Sequence, residues 1–433
     1  MIRLAAVGFG SAAAMLTAVL WIPSIQTVSY NRNASSLLDS EVKSEELTTI
    51  DNREEITHQP LPENVKAIYM TSCVAGTPTF RQRLVDLIKD TEINSVVIDV
   101  KDFSGKISFP PESDAWRPAW GEATCGATDM KDFIKELHDD GVFVIARITV
   151  FQDPFYTGIK PSLAVKKSDG VTVWKDNKGL SFIDVGAREY WDHLILLARD
   201  SYNIGFDELN FDYVRYPSDG PMSDIYFTHS KQYPGDDMMQ ANLEEFFSYL
   251  HDKLADEDLF SKYHHTNTGR EINVPWTSVD LFGMTTTNYD DLSIGQVQDR
   301  AAPYFDFIAP MVYPSHYPKS FLGLGNPNDH VYKVVNYAMQ SGVDRMKAST
   351  TPMMGFKHTR VGTSTPAVYS KPTYTANKFR TWIQDFDYGG DYDVAEVKDQ
   401  IKASYDAGVM SFMIWAPSNI YTRGALQSAE ITN

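Results

Sequence analysis

Between Val65 and Ala416 the chain alternates short apolar runs with longer amphipathic stretches. The runs are VKAIYMTS from Val65, SVVIDVK from Ser95, GVFVIARITV from Gly141, FDELNFDYV from Phe206, TSVDLFGM from Thr277, FDFIAPMVY from Phe305, FRTWIQDF from Phe379 and GVMSFMIWA from Gly408. Being short and rich in β-branched and aromatic residues, they predict eight strands. Between them stand helix candidates such as RQRLVDLIKDT, MKDFIKELHDDG, REYWDHLILLARDSYNIG, MQANLEEFFSYLHDKLADE and VAEVKDQIKASYDAG, several ending at a glycine suited to a C-cap. Strand and helix in alternation predict an α/β fold, a (β/α)8 TIM barrel with insertions. An open doubly wound sheet would carry a glycine-rich phosphate loop after an early strand, and the sequence has none. Residues 347–375 are too long for an ordinary connection and predict an insertion beside the barrel mouth.

The N-terminus has a different pattern. Arg3 is followed by an uncharged apolar run of 19 residues from Leu4 to Ile22, without a clear A-x-A cleavage site. That length approaches the roughly 20 residues of a membrane-spanning helix. Residues 1–26 are therefore expected to be a signal anchor or a signal peptide. The first alternative makes the membrane a partner and places the barrel in the cell envelope, outside the cytoplasm; the second gives a secreted protein. Residues 27–62 turn to Ser, Thr, Asn, Asp and Glu, the composition of a disordered polar linker, which leaves 63–433 for the barrel domain. The two cysteines, Cys73 and Cys125, either pair as one disulfide or stand as small buried residues.

A hydrophobic fraction of 43% supports a large core, and a formal charge of −18 with no basic run argues against nucleic acid as a partner. The charge is not confined to loops. In GFDELNFDYVRYP, from Gly205 to Pro217, acids sit inside an apolar strand. Side chains alternate along a barrel strand, so Leu209, Phe211 and Tyr213 are expected under the helices, while Glu208, Asn210 and Asp212 face the interior. Asp212 stands nearest the C-terminal end, where barrel enzymes hold their chemistry. The same parity turns Asp99 and Lys101 of the second run and Arg147 of the third inward as cationic and acidic neighbours. The fifth run, neighbour of the fourth, places Asp280 near its C-terminal end. Neighbouring strands lie about 4.8 Å apart, so Asp212 and Asp280 suit the ~5 to 5.5 Å carboxyl separation of retaining glycosidases, as nucleophile and general acid/base. The alternatives are an interior ion pair at Asp212 and a merely hydrogen-bonded carboxylate at Asp280. Arg215, Tyr313, His316, Trp382, Gln384, Trp415 and Asn419 follow strand ends with the aromatic and amide character of a sugar cleft. No metal or cofactor is implied by the spacing of histidines and acids.

The blocks FDELNFDYVRYP, SVDLFGMTTTNYDDLSIGQ, FDFIAPMVYPSHYP, RTWIQDFDYG and FMIWAPSNIYT together resemble a glycoside hydrolase barrel family of bacteria and archaea, long classed as a domain of unknown function. The resemblance runs from about Val65 to Tyr421 and implies a TIM barrel of the wider glycosidase group. Chitinase-like barrels carry DGxxxDxE on the acidic strand, and Val214 stands here at the position of their essential acid. Alpha-amylase-like barrels pair an Asp nucleophile on strand four with an acid on strand five, as Asp212 and Asp280 do, but carry Arg where this chain has Asn210. The expected function is a retaining glycoside hydrolase acting on a cell-envelope or extracellular polysaccharide. A non-catalytic carbohydrate-binding barrel and a carbohydrate-active enzyme of another reaction class are the alternatives.

Overall fold

A computed structural model describes residues 51–121, 123–230 and 237–429. Eight parallel strands close into a barrel: β1 (Lys66–Met70), β2 (Ser95–Lys101), β3 (Phe143–Thr149), β4 (Glu208–Asp212), β5 (Trp276–Phe282), β6 (Phe307–Met311), β7 (Thr381–Gln384) and β8 (Phe412–Trp415). They follow one another in chain order, and β8 pairs back onto β1 to complete the ring. Seven lie inside an apolar run, and β5 begins one residue ahead of the fifth, at Trp276. β2 and β3 are buried along their whole length, as parallel strands must be when helices cover one face and a filled interior the other.

Six longer helices are α1 (Pro78–Lys89), α2 (Met130–Asp139), α3 (Arg188–Asn203), α4 (Met238–Leu254), α5 (Val331–Lys347) and α6 (Val394–Asp406). Their apolar stripes pack on the outward parity of the strands. α2, for example, buries Phe133, Ile134 and Leu137 in the core that holds Val144 and Ala146, each side chain contributing about 1.5–3 kcal/mol. Asp393 and Glu396 form a capping box that starts α6. Past its end Gly408 takes a φ of 84°, a conformation costly for any residue with a Cβ. Inside the barrel a second, smaller cluster around Ala67, Val97, Ile145 and Ala309 fills the lower layers.

Three expectations need correction or refinement. The signal anchor or signal peptide over residues 1–26 lies outside the described residues. Among the described residues no helix is long and apolar enough to cross a membrane. α4 and α5, at 17 residues each, are too short and carry charged faces. None of the described helices therefore supplies the transmembrane helix, the membrane partner or the membrane-anchored localisation expected above. Second, ordered packing begins before residue 63: Glu55–Thr57 pairs in parallel with His264–Thr266, and His58 is buried. His58 and His138 both bond the buried Asp207, at 3.2 and 3.0 Å. Burial opposes the ionised form of Asp207, but these two imidazoles hold its carboxyl below the usual carboxylate range. Third, residues 347–375 include a short antiparallel ribbon, and none of them is among the residues lining the cavity at the barrel's C-terminal end. The segment packs instead against Arg300, which donates to Met354 O at 2.5 Å, and α5, whose Arg345 O accepts from Lys371 at 2.7 Å.

Cys73 and Cys125 form a disulfide that ties the segment after β1 to the one after β2 across a sequence separation of 52. Beside it the backbones of Gly76 and Gly126 nearly touch; a Cβ on Gly76 would lie 2.1 Å from Gly126 O, so no larger residue fits. Closing a loop of this length stabilises a fold by about 2–4 kcal/mol. Reduction, or the double substitution Cys73→Ala with Cys125→Ala, is expected to lower the melting temperature by several degrees; an unchanged melting curve would show that the bridge adds nothing.

Candidate active site

The inward row of β4 climbs through three layers, and each residue meets a different partner. Glu208, lowest, accepts two 2.6 Å bonds from Arg380 and another of 2.6 Å from Ser278. That buried ion pair uses up its charge. Asn210 donates at 2.9 Å to both Ser278 Oγ and Asp280 Oδ1. Asp212, at the top, receives Arg147 Nη2 at 2.5 Å and Nε at 3.1 Å on Oδ2. Tyr213 follows with a left-handed φ of 53° and donates its N–H to Asp212 Oδ1 at 2.5 Å. A non-glycine residue held there costs of order 1–3 kcal/mol, a strain concentrated at functional sites.

Arg147 is the hub. Its Nη1 donates to Asp99 Oδ1 at 2.5 Å, and Asp99 also accepts from Tyr69 Oη. Burial works against the guanidinium, yet the charges of Asp212 and Asp99 hold its pKa well above the usual value. Asp99 is pushed up by burial despite these partners.

β4 and β5 pair with Asn210 opposite Ser278 and Phe211 opposite Val279, so Asp212 and Asp280 stand at matching heights on adjacent strands. Asp280, 1% exposed, accepts Trp382 Nε1 at 2.8 Å and the Asn210 amide on the same Oδ1. Burial, then the charge of Asp212, push its carboxyl well above the usual carboxylate range; the donors and Arg147 only partly offset this. Two adjacent strands thus hold two carboxyl groups in opposite settings. Asp212 is braced by a cation, and the carboxyl of Asp280 is pushed toward its neutral form.

Both line a cavity of about 310 Å³ at the C-terminal mouth of the barrel. Of the residues singled out in the sequence, Arg147, Arg215, Tyr313, His316, Trp382 and Trp415 share its wall. His316 sits exposed at the rim with its ring 5.3 Å from that of Tyr313, whose hydroxyl is pushed well up by burial and then by Asp280 and Asp212. Asp99 and Asn210 lie behind the wall, where they hold Arg147 and Asp280. Gln384, also off the wall, accepts from Ser315 Oγ at 2.7 Å and positions that loop. Asn419 accepts from Thr71 at 2.9 Å and donates to Tyr69 O at 3.1 Å, so it clips the end of β1.

Lys101 is placed elsewhere. The register between β2 and β3 shifts between Asp99 and Lys101, which breaks the alternation, and Lys101 pairs with buried Asp153 at 3.1 Å beside Tyr190 of α3. Six wall residues are not among the candidate site residues read from the sequence: Tyr213, Phe282, Gly283, Met284, Met311 and Tyr317. Tyr213 leaves the strand parity through its positive φ. Gly283 and Met284 continue an apolar run but stand in the turn after β5, a change that glycine signals. A Cβ on Gly283 would come within 2.6 Å of Tyr317 Oη, so glycine keeps this side of the cavity open.

Against known proteins, no curated protein matches the chain in sequence. A solved structure of a hypothetical protein from Ruminiclostridium thermocellum is 31% identical over 43% of this chain and 92% of its own, with a TM-score of 0.37. The glycoside hydrolase domain of PgaB (BpsB) from Bordetella bronchiseptica is 14% identical over 85% of this chain and 99% of its own, with a TM-score of 0.53, a likeness of fold. The family described as "Putative glycosyl hydrolase domain" matches residues 67–421, the whole barrel from β1 to the segment after β8. With that span matched, the chain belongs to this glycosyl hydrolase domain family, within the carbohydrate-active glycosidase superfamily.

Proposed function

We propose that the protein is a retaining glycoside hydrolase acting on an oligo- or polysaccharide, with Asp212 as nucleophile and Asp280 as general acid and base. The observation that carries this reading is the buried Asp280, its carboxyl pushed up by burial and by Asp212, at the same height as the Arg147-braced Asp212 on the neighbouring strand. Adjacent parallel strands about 4.8 Å apart suit the ~5 to 5.5 Å separation of the double-displacement mechanism better than the wider gap of an inverting enzyme.

In that mechanism Asp280 gives its proton to the glycosidic oxygen as the bond to the anomeric carbon breaks, and Asp212 attacks that carbon to form a glycosyl ester. Asp280, now ionised, removes a proton from water, which displaces Asp212 and restores both groups. Arg147 offsets charge on Asp212, while Asn210 and Trp382 hold the acid in position. Trp415, half-buried at the wall, is stacked on Tyr69 at 4.0 Å and lies 4.9 Å from the Arg147 guanidinium, so it supplies an aromatic wall beside Asp212. The test is the stereochemistry of the first product. Proton NMR of fresh digests from a polysaccharide panel is expected to show the anomer of the substrate; the opposite anomer would exclude a glycosyl ester on Asp212, and glycan binding without hydrolysis would favour a non-catalytic barrel.

A further inference from the structure

Buried arginines elsewhere in the described residues have carboxylate partners. Arg147 holds Asp99 and Asp212, Arg380 holds Glu208, Arg345 holds Asp299, and Arg300 lies 3.4 Å from Glu244. Arg215 does not follow this pattern. It is 8% exposed and lines the same cavity as Asp212 and Asp280, yet among the described residues no carboxylate comes within ion-pair distance of it. Its Nη1 donates at 3.1 Å to Tyr216 O and to Ser218 Oγ, neutral acceptors on the adjoining chain. Nε and Nη2 find no acceptor among the described residues. The guanidinium is held over aromatic rings, 4.8 Å from Tyr213 and 5.0 Å from Phe282. These contacts fix its plane and leave a donor fork in the cavity.

A buried cation normally carries a counter-charge, because an unpaired one is strongly disfavoured by desolvation. A guanidinium keeps its proton even so, and its fork matches two oxygens of a carboxylate or sulfate. A neutral sugar hydroxyl neither needs nor balances it. Resting on the glycosidase reading above, we infer that Arg215 is the subsite for an anionic substituent, and that the substrate class is a glycan whose sugars carry carboxylate or sulfate groups. General attraction is not the source of such selectivity, since the chain itself carries a formal charge of −18.

The test measures binding and cleavage separately. The full chain carrying Asp280→Asn, which keeps the cavity but slows turnover, is titrated calorimetrically with oligogalacturonate, oligoalginate, hyaluronan hexasaccharide and sulfated carrageenan oligosaccharide, each beside its carboxyl-reduced or desulfated counterpart. At least one anionic glycan is expected to bind roughly tenfold or more tighter than its neutral counterpart, the range of a charge-assisted hydrogen bond. The carboxylate and sulfate arms tell the two sources apart. Adding Arg215→Gln is expected to abolish that preference, and Arg215→Lys to retain part of it, with melting curves confirming that each variant folds. The inference is overturned if no anionic glycan binds, if the neutral counterparts bind as tightly, or if Arg215→Gln weakens both alike, as it would if Arg215 merely balanced Asp212. In parallel the wild-type chain is assayed for cleavage of the same pairs. Charge-selective binding with no cleavage removes the glycosidase reading and leaves the subsite; cleavage of neutral glycans alone removes the subsite and leaves the glycosidase.

Discussion

Asp212→Asn is expected to lower hydrolysis by roughly a thousandfold or more, a loss of about 4 kcal/mol or more of transition-state stabilisation. The substitution keeps the shape of the side chain and an oxygen for Arg147 to reach, but an amide cannot form and release a glycosyl ester. Arg147 loses one of its two carboxylates and keeps Asp99. Because removing one partner of a buried charge pair destabilises the remainder, a lower melting temperature is expected alongside the catalytic loss. The two effects separate cleanly, since a folded variant below its melting transition should still bind glycan. Reducing-sugar release by wild type and variant on the same polysaccharide gives the ratio, and equal rates would remove Asp212 from the chemistry.

The second large effect is expected at Asp280. Asp280→Asn should slow natural substrates by about 10²–10⁴-fold, the range of a lost general acid, and slow an aryl glycoside with a dinitrophenolate leaving group far less, because that group departs without a proton. The pH profile carries the sharper signature. A carboxyl acts as an acid only below its pKa, and burial and Asp212 raise that of Asp280 well above the usual range. The proton is therefore still present at pH values where an ordinary carboxyl has lost it. Wild-type kcat/KM should hold into that range, then fall as pH rises through the raised pKa; Asp280→Asn should lack this alkaline limb. A limb at the ordinary carboxylate pH of about 4, or an unchanged limb in the variant, would assign the acid to another group.

The barrel was legible because its strands are local features. Runs such as SVVIDVK and FVIARIT declare themselves by composition, and parity along FDELNFD separates Leu209 and Phe211 from Glu208, Asn210 and Asp212. Parity also carried Asp280 and Arg147 to the interior. It stopped working wherever the backbone departed from a regular strand. The register shift after Asp99 sends Lys101 to Asp153, and the left-handed turn at Tyr213 brings into the cavity a ring expected under the helices. The division of labour within the inward row was also hidden. Glu208 is committed to Arg380, 172 residues away, and Asp280 to Trp382, 102 residues away, and such pairings arise only when the ring closes. The early packing of residues 55–58 depends in the same way on His264–Thr266 and Asp207. Polar composition alone resembles a linker because these contacts are supplied by distant chain.

The most direct test of the central claim is to trap the intermediate. The sugar released by the wild-type enzyme is prepared as its 2-deoxy-2-fluoro glycosyl fluoride, which forms the glycosyl ester readily but releases it slowly, and the labelled chain is digested and sequenced by mass spectrometry. The expected result is one added glycosyl mass on the peptide that contains FDELNFDYVR, carried by Asp212. An active enzyme that takes no label, or takes it on any residue other than Asp212, would contradict the assignment.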